Sequence, residues 1–231
     1  MRRTPRSAGR AGFALGFRVK SGFAIAVVVT GPASAPIAIA RRVVELSDPD
    51  EAGTRQPYHD GFFHEQEDAR EIARRVKIVR RCAKRSIAAL LKDDCLVRRR
   101  CHRAGLVVGS VIDPKTVGNL HIRAHANEGL LFRTVLEDAL QTHGVDCDVI
   151  VEKRLNETAT AGLRRSTGEI ACVLAGFGKA LGSPWRAEEK TAATAAWLST
   201  RASSAAERAG CSWRGASGPT RRTTVRPPTC T

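Results

Sequence analysis

The chain has 231 residues, 42% of them hydrophobic, which is enough for one domain of ordinary size with a buried core. Its formal net charge is +15, of which residues 1–12 carry +4, residues 201–231 carry +5 and residues 13–200 carry +6. This basic excess suggests a nucleic-acid partner, but more than half of it lies on predicted tails. No apolar run reaches the ~20 residues of a membrane span, and seven cysteines without a CxxC pattern favour free thiols in a reducing, cytoplasmic compartment.

Three strand-like runs begin the predicted domain. Phe13 to Val19 and Phe23 to Thr30 flank a short Gly-containing turn and predict a β-hairpin, and Ile37 to Leu46 supplies a third strand. The apolar run after Gly22, followed by Ala-Ser-Ala at 33–35, also has features of a secretion signal. Because basic residues interrupt the apolar stretch, a strand is favoured over a signal peptide.

A long helix is predicted from about Gly61 to Leu91, because apolar residues recur there at steps of three or four. Its other face is basic. Arg74, Arg81 and Lys84 are the candidates on this helix for contacts with nucleic-acid phosphates. A solvated charged face is the alternative interpretation.

Strands and helices alternate in the second half. Gly105 to Ile112 predicts a buried strand that ends at Asp113, and Ala124 to Thr142 predicts a helix after a loop at 115–123. Val145 to Val151 predicts the fifth strand.

Two helices follow the fifth strand. Ser166 to Glu169 has the spacing of a capping box, and residues 186–199 predict an Ala-rich last helix. The predicted domain is therefore 13–200, between disordered basic tails at 1–12 and 201–231.

The order β-β-β-α-β-α-β-α-α resembles the ribonuclease H-like fold, and within it the Holliday-junction resolvase branch. The run 15–18 (Leu-Gly-Phe-Arg) followed by Ser21-Gly22 is similar to that branch's first strand and turn, and Glu188-Glu189-Lys190 before an Ala-rich stretch is similar to its last helix. The resemblance implies a three-layer α/β fold with a mixed five-stranded sheet and helices on both faces. It also implies carboxylates that bind two Mg²⁺ or Mn²⁺ ions for phosphodiester hydrolysis.

The acidic residue that such a site needs on the first strand is missing. Arg18 or Lys20 lies nearest its position, and no acidic residue precedes Glu45. The sequence therefore favours a degenerate member that binds nucleic acid with weak or no hydrolysis. For an active nuclease, the metal-ligand candidates are Asp113, Glu188 and Glu189; the catalytic candidates are these three and Glu128, with Glu152 a further acidic candidate.

His121, His125 and Glu128 follow steps of four and three residues, which would place them on one helix face as metal ligands can be. Because His121 precedes the predicted helix start, that shared face is not assured. A surface cluster in which Arg123 and His125 contact phosphate is one alternative, and a plain solvated helix start is another.

Nucleic-acid binding is the favoured function. The alternatives are an active divalent-metal-dependent nuclease, a non-enzymatic scaffold or interaction protein and, behind these, an actin-like nucleotide-binding domain. A homodimer is a candidate assembly.

Overall fold

The structure, a computed structural model, describes residues 12–61, 64–96 and 99–212. Five strands form one mixed sheet: β1 (Gly12–Lys20), β2 (Phe23–Thr30), β3 (Ile37–Glu45), β4 (Arg100–Val108) and β5 (Asp146–Val151). The strand order is β3-β2-β1-β4-β5. The first three strands pair antiparallel, whereas β4 is parallel to both β1 and β5. The three predicted N-terminal strands are confirmed.

Helices cover both faces of this sheet, which confirms the predicted three-layer α/β architecture. The helices are α1 (Ala69–Leu91), α2 (Leu120–Gln141), α3 (Leu155–Leu163), α4 (Thr167–Leu181) and α5 (Ala187–Ser212). A hydrophobic core lies on each face of the sheet. Residues of β2 contribute to both cores in turn, because successive strand residues point to opposite faces. Val28 packs with α1 and α2, whereas Val27 and Val29 pack with α4 and α5.

The last helix lies unusually close to the two central strands. A Cβ atom added at Gly16 of β1 would lie 2.0 Å from the carbonyl oxygen of Ala192, and one at Gly105 of β4 would lie 2.9 Å from that of Ala195. The Ala-rich sequence of α5 therefore suits its position, since small residues on both sides let the helix backbone approach the sheet. Trp197 is fully buried beside this contact and donates its indole N–H to the carbonyl of Ala33.

Two helices begin at positions that differ from the prediction. The first starts only after Asp68, whose side chain accepts the backbone N–H groups of Arg70 and Glu71. The described residues just before it, 64–68, form a loop instead of a helix. The second starts at Leu120, because the Asn119 side chain accepts the N–H of Ile122 and caps the helix there.

The remaining differences lie in the C-terminal half. The fourth strand ends at Val108, so Asp113 lies in an exposed turn beyond it and not at the strand end. The short helix α3 was not predicted. The capping box at Ser166 and Glu169 is confirmed, with both of its hydrogen bonds present.

The last helix continues to Ser212, past the predicted domain end at residue 200. The predicted tails fall mostly on 1–11 and 213–231, outside the described residues, so the domain boundaries stay a prediction. None of the helices in the described ranges is long and apolar enough to cross a membrane.

Candidate functional site

Basic residues of β1 hold two of the candidate carboxylates at the carboxyl end of the parallel strands. Arg18 is buried, and its Nη2 donates to Oε2 of Glu152, 2.6 Å away, directly after β5. Two residues further along the same strand, Lys20 Nζ lies 3.8 Å from Oε1 of Glu188 at the start of α5. A metal ion that bound Glu152 or Glu188 would therefore have to displace Arg18 or Lys20.

The other two candidates for the carboxylate site also have structural partners. Glu189 is buried, and its Oε2 accepts the backbone N–H of Arg186 at the start of α5. Asp113 is exposed and accepts the N–H of Lys115 in the turn after β4. Within the described ranges, Asp113, Glu188 and Glu189 do not converge as a group of metal ligands. This arrangement does not fit an Mg²⁺ or Mn²⁺ site, which needs several carboxylate oxygens around one point.

Three histidines converge at a different place. In the part of the chain that the structure describes, the group of metal-ligating side chains that comes together is His59, His121 and His125, with one ligand atom of each within 4.8 Å of the others. Because α2 starts at Leu120, His121 and His125 both lie on this helix, and their Nε2 atoms are 3.2 Å apart. The ring of His59 packs against both, with centroid distances of 5.2 and 4.5 Å.

Glu128 joins this cluster from one turn further along α2. It is 1% exposed, and its Oε1 lies 2.7 Å from Nδ1 of His59. Its Oε2 lies 3.8 Å from Nδ1 of His125. Glu128 therefore belongs to the histidine cluster, where it fixes the orientation of the buried imidazole of His59.

The loop that carries His59 is held from both neighbouring helices. Arg75 of α1 donates Nη1 to the His59 carbonyl at 2.9 Å. Arg123 of α2 pairs with Glu65, which forms a β-bridge with His59 across the loop. These contacts bring a histidine from a loop onto the first turns of α2.

Burial and neighbouring charges shift the pKa values of two cluster members. Burial raises the pKa of Glu128 above its ordinary value, and the hydrogen bond from His59 opposes this shift. Burial, followed by repulsion from the other two imidazoles, lowers the pKa of His125. The lowered pKa favours a neutral imidazole at position 125, which is the form that binds metals.

The basic face of α1 is the second candidate site. Arg81 and Lys84 are exposed, as predicted, and Lys77 and Arg80 extend the same face. Arg74 differs from these four, because its guanidinium is bound to Glu71 and to Glu51. Arg123 is likewise paired with Glu65.

Sequence reasoning found the helical histidines but missed His59. His121, His125 and Glu128 are separated by four and three residues, and a helix places residues with this spacing on one face. This spacing is a local signal that can be read from the sequence. His59 has no comparable signal, because non-local contacts with α1 and α2 put it there.

The strand order, the antiparallel hairpin at one side and the helices on both faces are the arrangement that the sequence resemblance implied. The chain has a ribonuclease H-like fold. No protein-family model matches the sequence, and no curated protein matches it. Among solved structures, the chain is similar to Holliday-junction resolvases.

Two of these proteins cover most of the chain. Thermus thermophilus RuvC, solved alone and in complex with a Holliday junction substrate, is 12% identical with a TM-score of 0.49, and the match covers 84% of this chain and 96% of RuvC. The yeast mitochondrial Holliday junction resolvase Ydc2 is 11% identical with a TM-score of 0.45, and the match covers 88% of this chain and 84% of Ydc2. At these identities the likeness is one of fold alone.

Proposed function

We propose that this chain binds nucleic acid through phosphate contacts on the exposed face of α1, with weak or no hydrolysis of the phosphodiester backbone. The observation that carries the proposal is a row of four exposed cations, Lys77, Arg80, Arg81 and Lys84, with a fifth, Arg85, directly after it. None of them has a carboxylate partner among the described residues. At ~1.5 Å per helical residue the row extends over about 10 Å, comparable to three nucleotides of one strand at ~3.4 Å each.

Charge pairing separates this row from the other basic candidates. Arg74 and Arg123 lie in ion pairs with glutamates, so a phosphate would have to displace a carboxylate to bind them. His125 lies in the histidine cluster. Of the candidates predicted from sequence, Arg81 and Lys84 are therefore the ones that we assign to phosphate contact.

The partners of the carboxylates support weak or absent hydrolysis. Arg18 and Lys20 place positive charge beside Glu152 and Glu188, and a divalent cation would be repelled from the same position. Glu189 would also have to give up its hydrogen bond to the start of α5. The catalytic assignment of Asp113, Glu128, Glu188 and Glu189, with Mg²⁺ or Mn²⁺, stays a prediction that a cleavage assay tests.

The binding test compares two triple variants of the full chain, so that the basic termini are present in both. Arg80→Gln, Arg81→Gln and Lys84→Gln remove charge from α1. The matched control removes three exposed lysines elsewhere by changing each to Gln: Lys153, Lys179 and Lys190. Affinity for labelled duplex, four-way-junction and RNA/DNA hybrid substrates is measured across a salt series.

We expect the α1 variant to weaken binding to every substrate. The slope of log affinity against log salt should fall by about 2–3, since each lost phosphate contact removes close to one unit. The control variant should keep a slope near that of the wild type. Equal losses in the two variants would assign the binding to overall charge and the termini, and would overturn the proposal.

The cleavage test uses the same substrates with Mn²⁺. We expect no metal-dependent product from the wild type above that of Glu188→Gln/Glu189→Gln. Cleavage that this double variant abolishes would support the active-nuclease alternative. If neither binding nor cleavage occurred, the scaffold alternative would replace both. A homodimer and a cytoplasmic location stay predictions.

A further inference from the structure

We infer that His59, His121 and His125 form a binding site for one transition-metal ion, with Zn²⁺ the best-suited candidate, and that Glu128 positions His59 for it. The site is separate from the carboxylate pattern that the fold resemblance implied. It is also independent of the nucleic-acid proposal, since none of its members belongs to the cationic row of α1.

The buried histidine gives the first argument. His59 is 6% exposed, and its Nδ1 is hydrogen-bonded to Glu128, which leaves Nε2 as the atom available to a ligand. This Nε2 is buried and has no hydrogen-bond partner among the described residues. A buried nitrogen without a partner is unfavourable unless something binds it. A carboxylate on one ring nitrogen with a metal on the other is the usual arrangement around metal-binding histidines.

The spacing of the nitrogens gives the second argument. Zn²⁺ binds imidazole nitrogens at ~2.0–2.1 Å in tetrahedral geometry, so two such ligands lie about 3.3 Å apart. The Nε2 atoms of His121 and His125 already lie 3.2 Å apart. The full group extends over 4.8 Å, so binding has to draw the third nitrogen inward. The His125 side chain is 51% exposed and is therefore the one with room to turn.

The ligand chemistry selects the class of metal. Three imidazoles without a carboxylate among the ligand atoms suit Zn²⁺, Cu²⁺ or Ni²⁺, and not Mg²⁺ or Ca²⁺, which prefer oxygen. Three protein ligands also leave a fourth tetrahedral position open for water or another ligand. Such a site joins the loop before α1 to the first turns of α2.

The test loads the full chain, first stripped with a chelator, with Zn²⁺ and measures bound metal by mass spectrometry and affinity by competition with a chromophoric chelator. Substitution with Co²⁺ reports geometry through its absorption spectrum. The variants are His125→Ala, which changes an exposed side chain, and His59→Ala. The matched control is His143→Ala, an exposed histidine just after α2 that lies outside the cluster.

We expect the wild type and His143→Ala to bind one Zn²⁺ per chain and to give the spectrum of four-coordinate Co²⁺. Loss of an outer partner of a metal ligand lowers affinity by roughly 10–100-fold. His125→Ala removes a ligand itself and should weaken binding by more than about 100-fold, while its circular dichroism stays that of the wild type. Zn²⁺ should raise the melting temperature of the wild type but not that of His125→Ala.

Glu128 is tested as a positioning residue. Glu128→Gln keeps an oxygen that can accept the His59 N–H, whereas Glu128→Leu does not, so only the second should lower affinity by roughly 10–100-fold. The site is disproved if the wild type binds no more Zn²⁺ than His125→Ala. It is also disproved if His143→Ala lowers the affinity for Zn²⁺ as much as His125→Ala does.

Discussion

Arg18 of β1 and Glu152 after β5 form an ion pair with 2.6 Å between Nη2 and Oε2, although β4 separates their strands in the sheet. The two partners differ in exposure: the side chain of Arg18 is 8% exposed and that of Glu152 is 47% exposed. If the pair is broken, water can therefore solvate the carboxylate of Glu152, whereas the guanidinium of Arg18 stays largely out of its reach. This asymmetry leads to a prediction about stability.

We expect Glu152→Gln to destabilise the fold more than Arg18→Met. The first leaves a buried positive charge with a weaker partner and should cost about 1–3 kcal/mol, less than the ~3–5 kcal/mol of a fully buried pair. The second leaves a carboxylate that water can reach and should cost less than about 1 kcal/mol. Urea unfolding measures both. The double variant should recover part of the loss, and the reverse ranking would contradict the prediction.

Gly16 is predicted to be intolerant of any side chain. A methyl group there would meet the backbone of α5 at 2.0 Å from the Ala192 oxygen and 2.3 Å from the Ala196 nitrogen, so the helix would have to move. Gly16→Ala should destabilise the protein by at least ~3 kcal/mol, the upper end for overpacking. The control is Gly129→Ala on α2, where nothing lies within 4 Å and a gain of ~0.5–1 kcal/mol is expected. Thermal unfolding of both variants checks the contrast.

Local patterns predicted the sheet and most of the helices. The strands before residue 46 are joined by short connections, so their order and boundaries follow from alternation and turn residues. Helix starts were predicted less well. Asn119, which caps α2, is a local signal that the prediction missed. Asp68 is likewise a local cap, at the start of α1. The position of the loop before it depends also on the contact of Arg75 with the His59 carbonyl, which no local pattern reveals.

The candidate sites divide in the same way. The steps on α2 pointed to His121, His125 and Glu128, since a helix alone brings those side chains together. His59 joins them only through tertiary contacts. The sequence showed that the first strand lacks an acid, but only the structure shows that Arg18 and Lys20 bind candidate carboxylates instead.

Glu71 is predicted to make the stability of α1 depend on acid pH. Hydrogen bonds from Arg74, and then from Arg75, lower the pKa of Glu71 from its ordinary 4.5 to about 2. Because the pKa is lower in the folded state, the ionised carboxylate stabilises the fold above pH 4.5, and this stabilisation is lost as the pH falls towards 2. Glu71→Gln should therefore melt below the wild type at pH 7.

The difference in melting temperature should shrink between about pH 5 and pH 2. Glu67→Gln is the matched control, since it removes an exposed carboxylate that has no ion pair among the described residues. It should change the melting temperature little at pH 7. If the melting temperature of Glu71→Gln stayed below that of the wild type by the same amount down to pH 2, the role of the arginine contacts would be contradicted.

Cys101 and Cys147 are predicted to be unreactive in the folded protein. Burial is the main cause that raises the pKa of each thiol to about 12. At pH 8 only on the order of one thiol in 10⁴ is then ionised, and the thiolate is the form that reacts. Cys172 is a free cysteine whose side chain is exposed to solvent on α4. Iodoacetamide labelling followed by peptide mass spectrometry should modify Cys172 more than about 100-fold faster than the two partly buried thiols.

Unfolding in urea provides the control for this prediction. It exposes all three cysteines to the same solvent, so their labelling rates should converge. Because the two partly buried thiols lie on β4 and β5, their protection reports on these two strands. Labelling of Cys101 at the rate of Cys172 in native buffer would mean that β4 opens readily, in conflict with the packing of α5 on β1 and β4 described above.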